Sequence, residues 1–159
     1  MAAWPPADVL DELERLDRPE RAGVRWTTRD QWHVTLRFLG SADVGEAADA
    51  LQSVAADRTE AVVGPVVERL GRAVVALPVD GLTQVATVVA SAMVGVGEDP
   101  ERRAFRGHLT LARLRKGGRP PLVGTPFTAR FPVDEVCLVE SRTHREGARY
   151  RTVATVALR

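Results

Sequence analysis

Three histidines stand in this chain of 159 residues, and two of them share a context. His33-Val34-Thr35-Leu36 is matched by His108-Leu109-Thr110-Leu111, with Arg37 just beyond the first copy and Arg113 just beyond the second. In a strand, residues two apart point to the same face. Each copy is therefore expected to present an imidazole beside a hydroxyl, while Val34, Leu36, Leu109 and Leu111 turn toward the core. One such string is ordinary strand sequence. Two matched copies call for chemistry.

Two imidazoles facing one cleft can run phosphodiester chemistry without a metal. One takes a proton from the attacking water or hydroxyl and the other gives a proton to the leaving oxygen. Histidine serves both roles because its unperturbed pKa is about 6.5, and each transfer is typically worth ~10²–10⁴ in rate. Thr35 and Thr110 are placed to donate to non-bridging phosphate oxygens, and a nearby arginine offsets the charge that builds in the transition state. Zinc is the competing reading. Catalytic zinc usually takes three protein ligands, and His144 falls in a predicted turn, so no metal is expected. By alternation Arg37 shares the face of His33 and Thr35, which makes it a second candidate phosphate ligand. Phe38 falls on the other face and reads as core, with base stacking as the alternative. Trp26 and Trp32 read as packing, again with nucleobase stacking as the alternative. Arg102, Arg103, Arg106, Arg115, Lys116 and Arg119 bracket the second motif, either as contacts to an RNA backbone or as a solvated rim.

The elements that must carry these residues can be read along the chain. Pro5-Pro6 and Asp8 open a short helix through Val9, Leu10, Leu13 and Leu16. Val24–Trp26 is a brief extended segment, and Thr28-x-x-Gln31 has capping-box form. The first motif strand is expected to run to Leu39 and break at Gly40. Asp43-x-x-Glu46 starts a second helix with a stripe of Val44, Ala47, Ala48, Leu51, Val54 and Ala55. Residues 60–79 read as two strands turning at Gly71, the second closed by Pro78. Asp80 caps a third helix through Val94, and 95–103 reads as a loop. The second motif strand covers Gly107–Leu114. Three extended segments follow from Phe127, the last two forming a hairpin that turns over 144–147. Helices and strands interleave without a βαβ rhythm, which favours an α+β fold with mostly antiparallel pairing.

Composition sets the frame. The hydrophobic fraction of 45% with 27% charged residues suits a globular chain, and a formal net charge of +1 gives no global field to gather nucleic acid. Lys116 is the only lysine, so phosphate contacts fall to arginine and its planar fork. Cys137 is the only cysteine, which excludes an internal disulfide and fits a reducing compartment. No apolar run approaches the ~18 residues of a membrane span, and the N-terminal residues lack a signal-peptide pattern. A cytoplasmic monomer is expected.

The sequence resembles the two-histidine (2H) phosphoesterases, specifically the LigT-like RNA 2',3'-cyclic phosphodiesterases, also called 2'-5' RNA ligases. Trp26, the block 33–40, the block 105–113, and Leu138-Val139-Glu140-Ser141 with Gly147 and Tyr150 carry the likeness, in order, over nearly the whole chain. The resemblance implies one bilobal, pseudo-twofold α+β domain over 1–159, with two mostly antiparallel sheets around a central cleft. It implies His33 and His108 as the acid–base pair, Thr35 and Thr110 as phosphate ligands, and Arg113 as a basic residue at the phosphate. The expected reaction is metal-independent opening of an RNA terminal 2',3'-cyclic phosphate to a 2'-phosphomonoester, with 2'-5' ligation as its reverse type and no cofactor. Small cyclic nucleotides and 2'-5' oligoadenylates are alternative substrates, and a noncatalytic RNA- or nucleotide-binding module is the alternative of another class. Trp26, Phe38, Arg106 and Arg115 are candidate base or RNA contacts. Two departures stand out. The family's first strand is shortened or missing here, since only Met1–Trp4 precedes Pro5. Strict alternation also puts Arg113 on the face opposite His108 and Thr110, so a bulge near Ala112 is required if it is to reach a phosphate.

Overall fold

The computed structural model describes residues 1–100, 103–115, 118, 122–144 and 147–159. Arg102, Lys116, Arg119 and the centre of the 144–147 turn lie outside the described residues. The architecture is the expected α+β one, with all described strand pairings antiparallel. Strands β1 (Ala2–Ala3), β2 (Val24–Trp26), β3 (Val34–Thr35), β4 (Thr59–Val63), β5 (Glu68–Leu70), β6 (Val74–Asp80), β7 (His108–Leu114), β8 (Ala129–Val133), β9 (Glu135–His144) and β10 (Gly147–Ala157) combine with helices α1 (Ala7–Glu14), α2 (Val44–Leu51) and α3 (Thr83–Ala92). The main path runs β10-β9-β1-β3-β7-β6-β4-β8, with β2 also on β7 and β5 also on β6. The two motif strands, β3 and β7, are neighbours at its centre.

The helices bury the faces that their spacing marks. Val9 and Leu13 of α1, Ala47 and Leu51 of α2, and Val85, Ala86 and Val89 of α3 are buried. Asp43 caps α2, accepting from the Glu46 N–H at 2.9 Å, which meets one of the donors a helix start leaves unpaired. That helix stops at Leu51, so Val54 reaches the core from the segment after it and Ala55 is exposed. Asp80 ends β6 and does not cap α3, whose N-cap is Leu82.

Three expectations change. Residues 59–80 hold three strands, and β6 runs through Pro78. Proline lacks a ladder donor and is usually confined to strand edges or irregular places. Here it stands opposite His108 in the last β6–β7 pair, after which Val79 and Asp80 pair with β4. The first motif strand ends at Thr35 rather than Leu39, because the N–H groups of Leu36 and Arg37 both turn to the Met1 carbonyl, at 2.8 and 3.3 Å. Finally, the N-terminal strand is short but present. Ala2 pairs with Thr35 on one side and Cys137 on the other, so β1 fills the gap between β3 and β9 and leaves neither as an edge.

The core gathers beneath the motif strands. Val34 and Leu109 are both fully buried and stand directly opposite each other. Leu109→Ala is expected to destabilise the fold by about 2–5 kcal/mol, measured as a lower urea midpoint at unchanged slope. An effect below about 1 kcal/mol would show that the β3–β7 seam is not part of the core.

Candidate active site

The Val34–Leu109 pairing decides the geometry of the site. In an antiparallel ladder the next residues pair outward, so this register sets His33 opposite Thr110 and Thr35 opposite His108. Residues directly opposite share a face, with Cβ atoms about 4.5–5.5 Å apart, and diagonal neighbours are about 7–8 Å apart. The two histidines thus occupy one diagonal of a four-residue array and the two threonines the other. A local twofold through the Val34–Leu109 pair exchanges the halves. All four side chains line one cavity of about 1060 Å³.

The imidazoles are held alike. His33 Nδ1 lies 2.9 Å from the Gln31 carbonyl, and His108 Nδ1 lies 2.9 Å from the Arg106 carbonyl. A carbonyl oxygen only accepts, so in each ring Nδ1 carries the proton and Nε2 is left to act in the cavity. The Gln31 carbonyl is itself set by a turn. Residues Arg29–Gln31 form one 3-10 turn, and the Thr28 N–H donates to Gln31 Oε1 at 3.2 Å while Gln31 Nε2 donates to the Ala148 carbonyl on β10 at 2.7 Å.

Beyond the rings the halves differ. Trp4 lies 5.2 Å from the His33 ring and Tyr150 meets it edge-on at 4.6 Å, centroid to centroid. Burial between these aromatics disfavours the imidazolium and lowers the His33 pKa to about 4, opposed by the Gln31 carbonyl and reinforced by the positive charges of the N-terminal amine, His108 and Arg113. At neutral pH His33 is therefore a neutral imidazole with a free lone pair.

Arg113 reaches the cavity because β7 bulges. Ala76 pairs with Thr110 but Val75 pairs with Ala112, so Leu111 is an extra residue in β7. Leu111 and Ala112 are buried in succession. Alternation is reset by one residue, and Arg113 emerges on the face of His108 and Thr110. It stands across from Arg25 of β2, and Arg25, Arg113 and Arg115 all line the cavity. Arg25 is a residue that the sequence reading missed. Its signal is parity: two residues before Thr27 on a strand that pairs with β7, it faces where Trp26 does not.

Several expectations are corrected. Trp26 pairs with Ala112 on the opposite face of β2, its indole N–H donates to the Pro19 carbonyl at 3.0 Å, and it does not line the cavity. Trp32 is fully buried, in line with the packing reading. Arg106 lends its carbonyl to His108 while its guanidinium binds Glu68 at 2.8 Å, outside the cavity. Arg37 lines the cavity from beyond the end of β3, but it is 6% exposed and its Nη2 donates to the Glu98 carbonyl at 3.0 Å. Phe38 is 71% exposed on the cavity wall and is not core, since β3 has already ended. His144, expected in a turn, ends β9 and also borders the cavity. Among the described residues no group of three or more His, Cys, Asp or Glu side chains could hold a metal ion, and no helix is long and apolar enough to cross a membrane.

Comparison with known proteins bears on this arrangement. Residues 4–66 match the family model described as LigT like Phosphoesterase. TT0787 of Thermus thermophilus superposes with a TM-score of 0.82 at 21% identity, over 99% of this chain and 96% of that one. E. coli LigT complexed with 3'-AMP superposes at 0.79 with 24% identity, over 99% and 95%. Residues 4–66 are thus similar to the LigT-like phosphoesterase family, and the whole chain has the fold of these solved structures. A further solved phosphoesterase shares 26% identity at a TM-score of 0.76, over 99% and 95%. No curated protein sequence matches the chain. The LigT-like resemblance read from the motifs is thus met by the matched segment and by the fold.

His33 also links the site to stability. Its folded pKa, about 4, lies below the ordinary 6.5, so between those values the unfolded chain binds more protons than the folded one. The stabilisation is complete above pH 6.5 and is lost as pH falls toward 4. Melting temperature between about pH 7 and 4.5 should fall more steeply for the wild type than for His33→Gln. Parallel curves would contradict the buried, neutral imidazole.

Proposed function

We propose that this LigT-like protein hydrolyses the 2',3'-cyclic phosphate at an RNA end to a 2'-phosphomonoester, with His33 and His108 as a metal-independent acid–base pair. The observation that carries the reading is the diagonal array of two His–Thr pairs around one cavity. His33, neutral at pH 7, takes the proton of the attacking water at Nε2 while the water oxygen bonds to phosphorus. His108 gives its proton to the 3'-oxygen as the phosphorus–oxygen bond to it breaks. The products are a 2'-phosphate and a free 3'-hydroxyl, and the proton count closes with one taken and one given.

Thr35 and Thr110 donate to the non-bridging oxygens, and Arg113 offsets the charge that the phosphorane-like transition state adds. Phe38, exposed on the cavity wall, offers a face for stacking the terminal base, and Arg115 a contact to the strand behind it. The same machinery with a 5'-hydroxyl end as the nucleophile gives a 2'-5' linkage. The solved complexes of E. coli LigT with 3'-AMP and with phosphate support a nucleotide phosphate as the occupant of such a cavity.

The test is incubation with an oligoribonucleotide ending in 2',3'-cyclic phosphate, followed by identification of the product. A 2'-phosphate end is expected, with activity retained in EDTA. His33→Ala and His108→Ala should each lower kcat by ~10²–10⁴. A 3'-phosphate product would reverse the orientation of the leaving group. Full turnover in both variants, or strict dependence on an added metal, would overturn the acid–base reading.

A further inference from the structure

The bulge in β7 has a keeper. Thr27 follows β2, and it is only 6% exposed. Its N–H donates to the Leu111 carbonyl at 2.9 Å, and its hydroxyl lies 2.7 Å from the Thr110 carbonyl and 2.8 Å from that of Leu111. These are the carbonyls on either side of the inserted residue. The hydroxyl in turn accepts from the fully buried Trp32 indole N–H at 2.9 Å, so its one proton is left for the two carbonyls. An inserted residue disrupts the regular ladder, and buried carbonyls need donors. Thr27 supplies two donors to this one place from a side chain that packing holds still.

From this geometry we infer that Thr27 is a positioning residue for Arg113: its hydroxyl, fixed by Trp32, holds the Leu111 bulge in β7 and so keeps the Arg113 guanidinium on the phosphate side of the strand. Without the extra residue, alternation sends Arg113 to the face opposite His108 and Thr110. With it, Arg113 lines the cavity opposite Arg25. Thr27 does not need to touch substrate for this role, and neither does Trp32. The inference rests on the reading of Arg113 as a phosphate ligand.

Four substitutions, their combinations with Arg113→Ala and two readouts separate these claims. Thr27→Val keeps the shape and removes the hydroxyl; it should lower kcat/KM on the cyclic-phosphate oligonucleotide by ~10–100-fold, the scale of a misplaced catalytic group. Arg113→Ala should lose a similar factor, and the double variant should lose little more than either alone, since both remove one function. Thr27→Ser should recover most of the activity. Titration with inorganic phosphate, followed by histidine ring signals in NMR, should show binding weakened by Thr27→Val and Arg113→Ala to a similar extent, with no turnover required. If Thr27→Val does not fold, Trp32→Phe removes the donor behind the hydroxyl, and it should show a smaller loss that is likewise not additive with Arg113→Ala. An unimpaired Thr27→Val beside an impaired Arg113→Ala overturns the inference and leaves the phosphate role of Arg113 standing. Losses that multiply in the double variant also overturn it. Full activity and unchanged phosphate affinity in Arg113→Ala overturn the role of Arg113 itself, and the inference with it.

Discussion

The site depends on one backbone pairing, that of Val34 with Leu109. Neither side chain meets the cavity, and both are fully buried. Their register nevertheless sets each histidine opposite the other motif's threonine and so turns a repeat along the chain into a symmetric array on a surface. Hydrophobic burial under the seam fixes the register, because a slip of β3 by one residue would send His33 inward and Val34 outward. β1 secures the same strand from its other side, through Ala2 and Ala3.

Symmetry ends where protonation begins. Both rings donate Nδ1–H to a carbonyl two residues earlier. Only His33 is enclosed by aromatics, Trp4 and Tyr150. Burial there penalises the charged ring and keeps His33 neutral, the form a general base needs.

Much of this is legible in sequence, and the failures have physical causes. Alternation correctly gives the shared face of each His–Thr pair, because that is local strand geometry. It misplaces Phe38, because β3 stops after Thr35, when the next two N–H groups find the Met1 carbonyl. It would also have misplaced Arg113, and here the resemblance to known phosphoesterases asks for the bulge that β7 contains. Trp26 and Arg25 exchange importance because their facing is set by a partner strand far away in sequence. Propensity alone says nothing of which strands pair, so the adjacency of β3 and β7 could only be inferred from the repeat.

Two imidazoles share one tautomer and His33 is held neutral by burial, and ¹⁵N-detected NMR of the histidine rings measures both directly. At about pH 8 both His33 and His108 should show the Nδ1–H tautomer. His33 should stay neutral down to about pH 5, below its ordinary titration range and above its folded pKa of about 4. An Nε2–H tautomer in either ring, or a His33 that protonates near the ordinary value of about 6.5, would contradict the account.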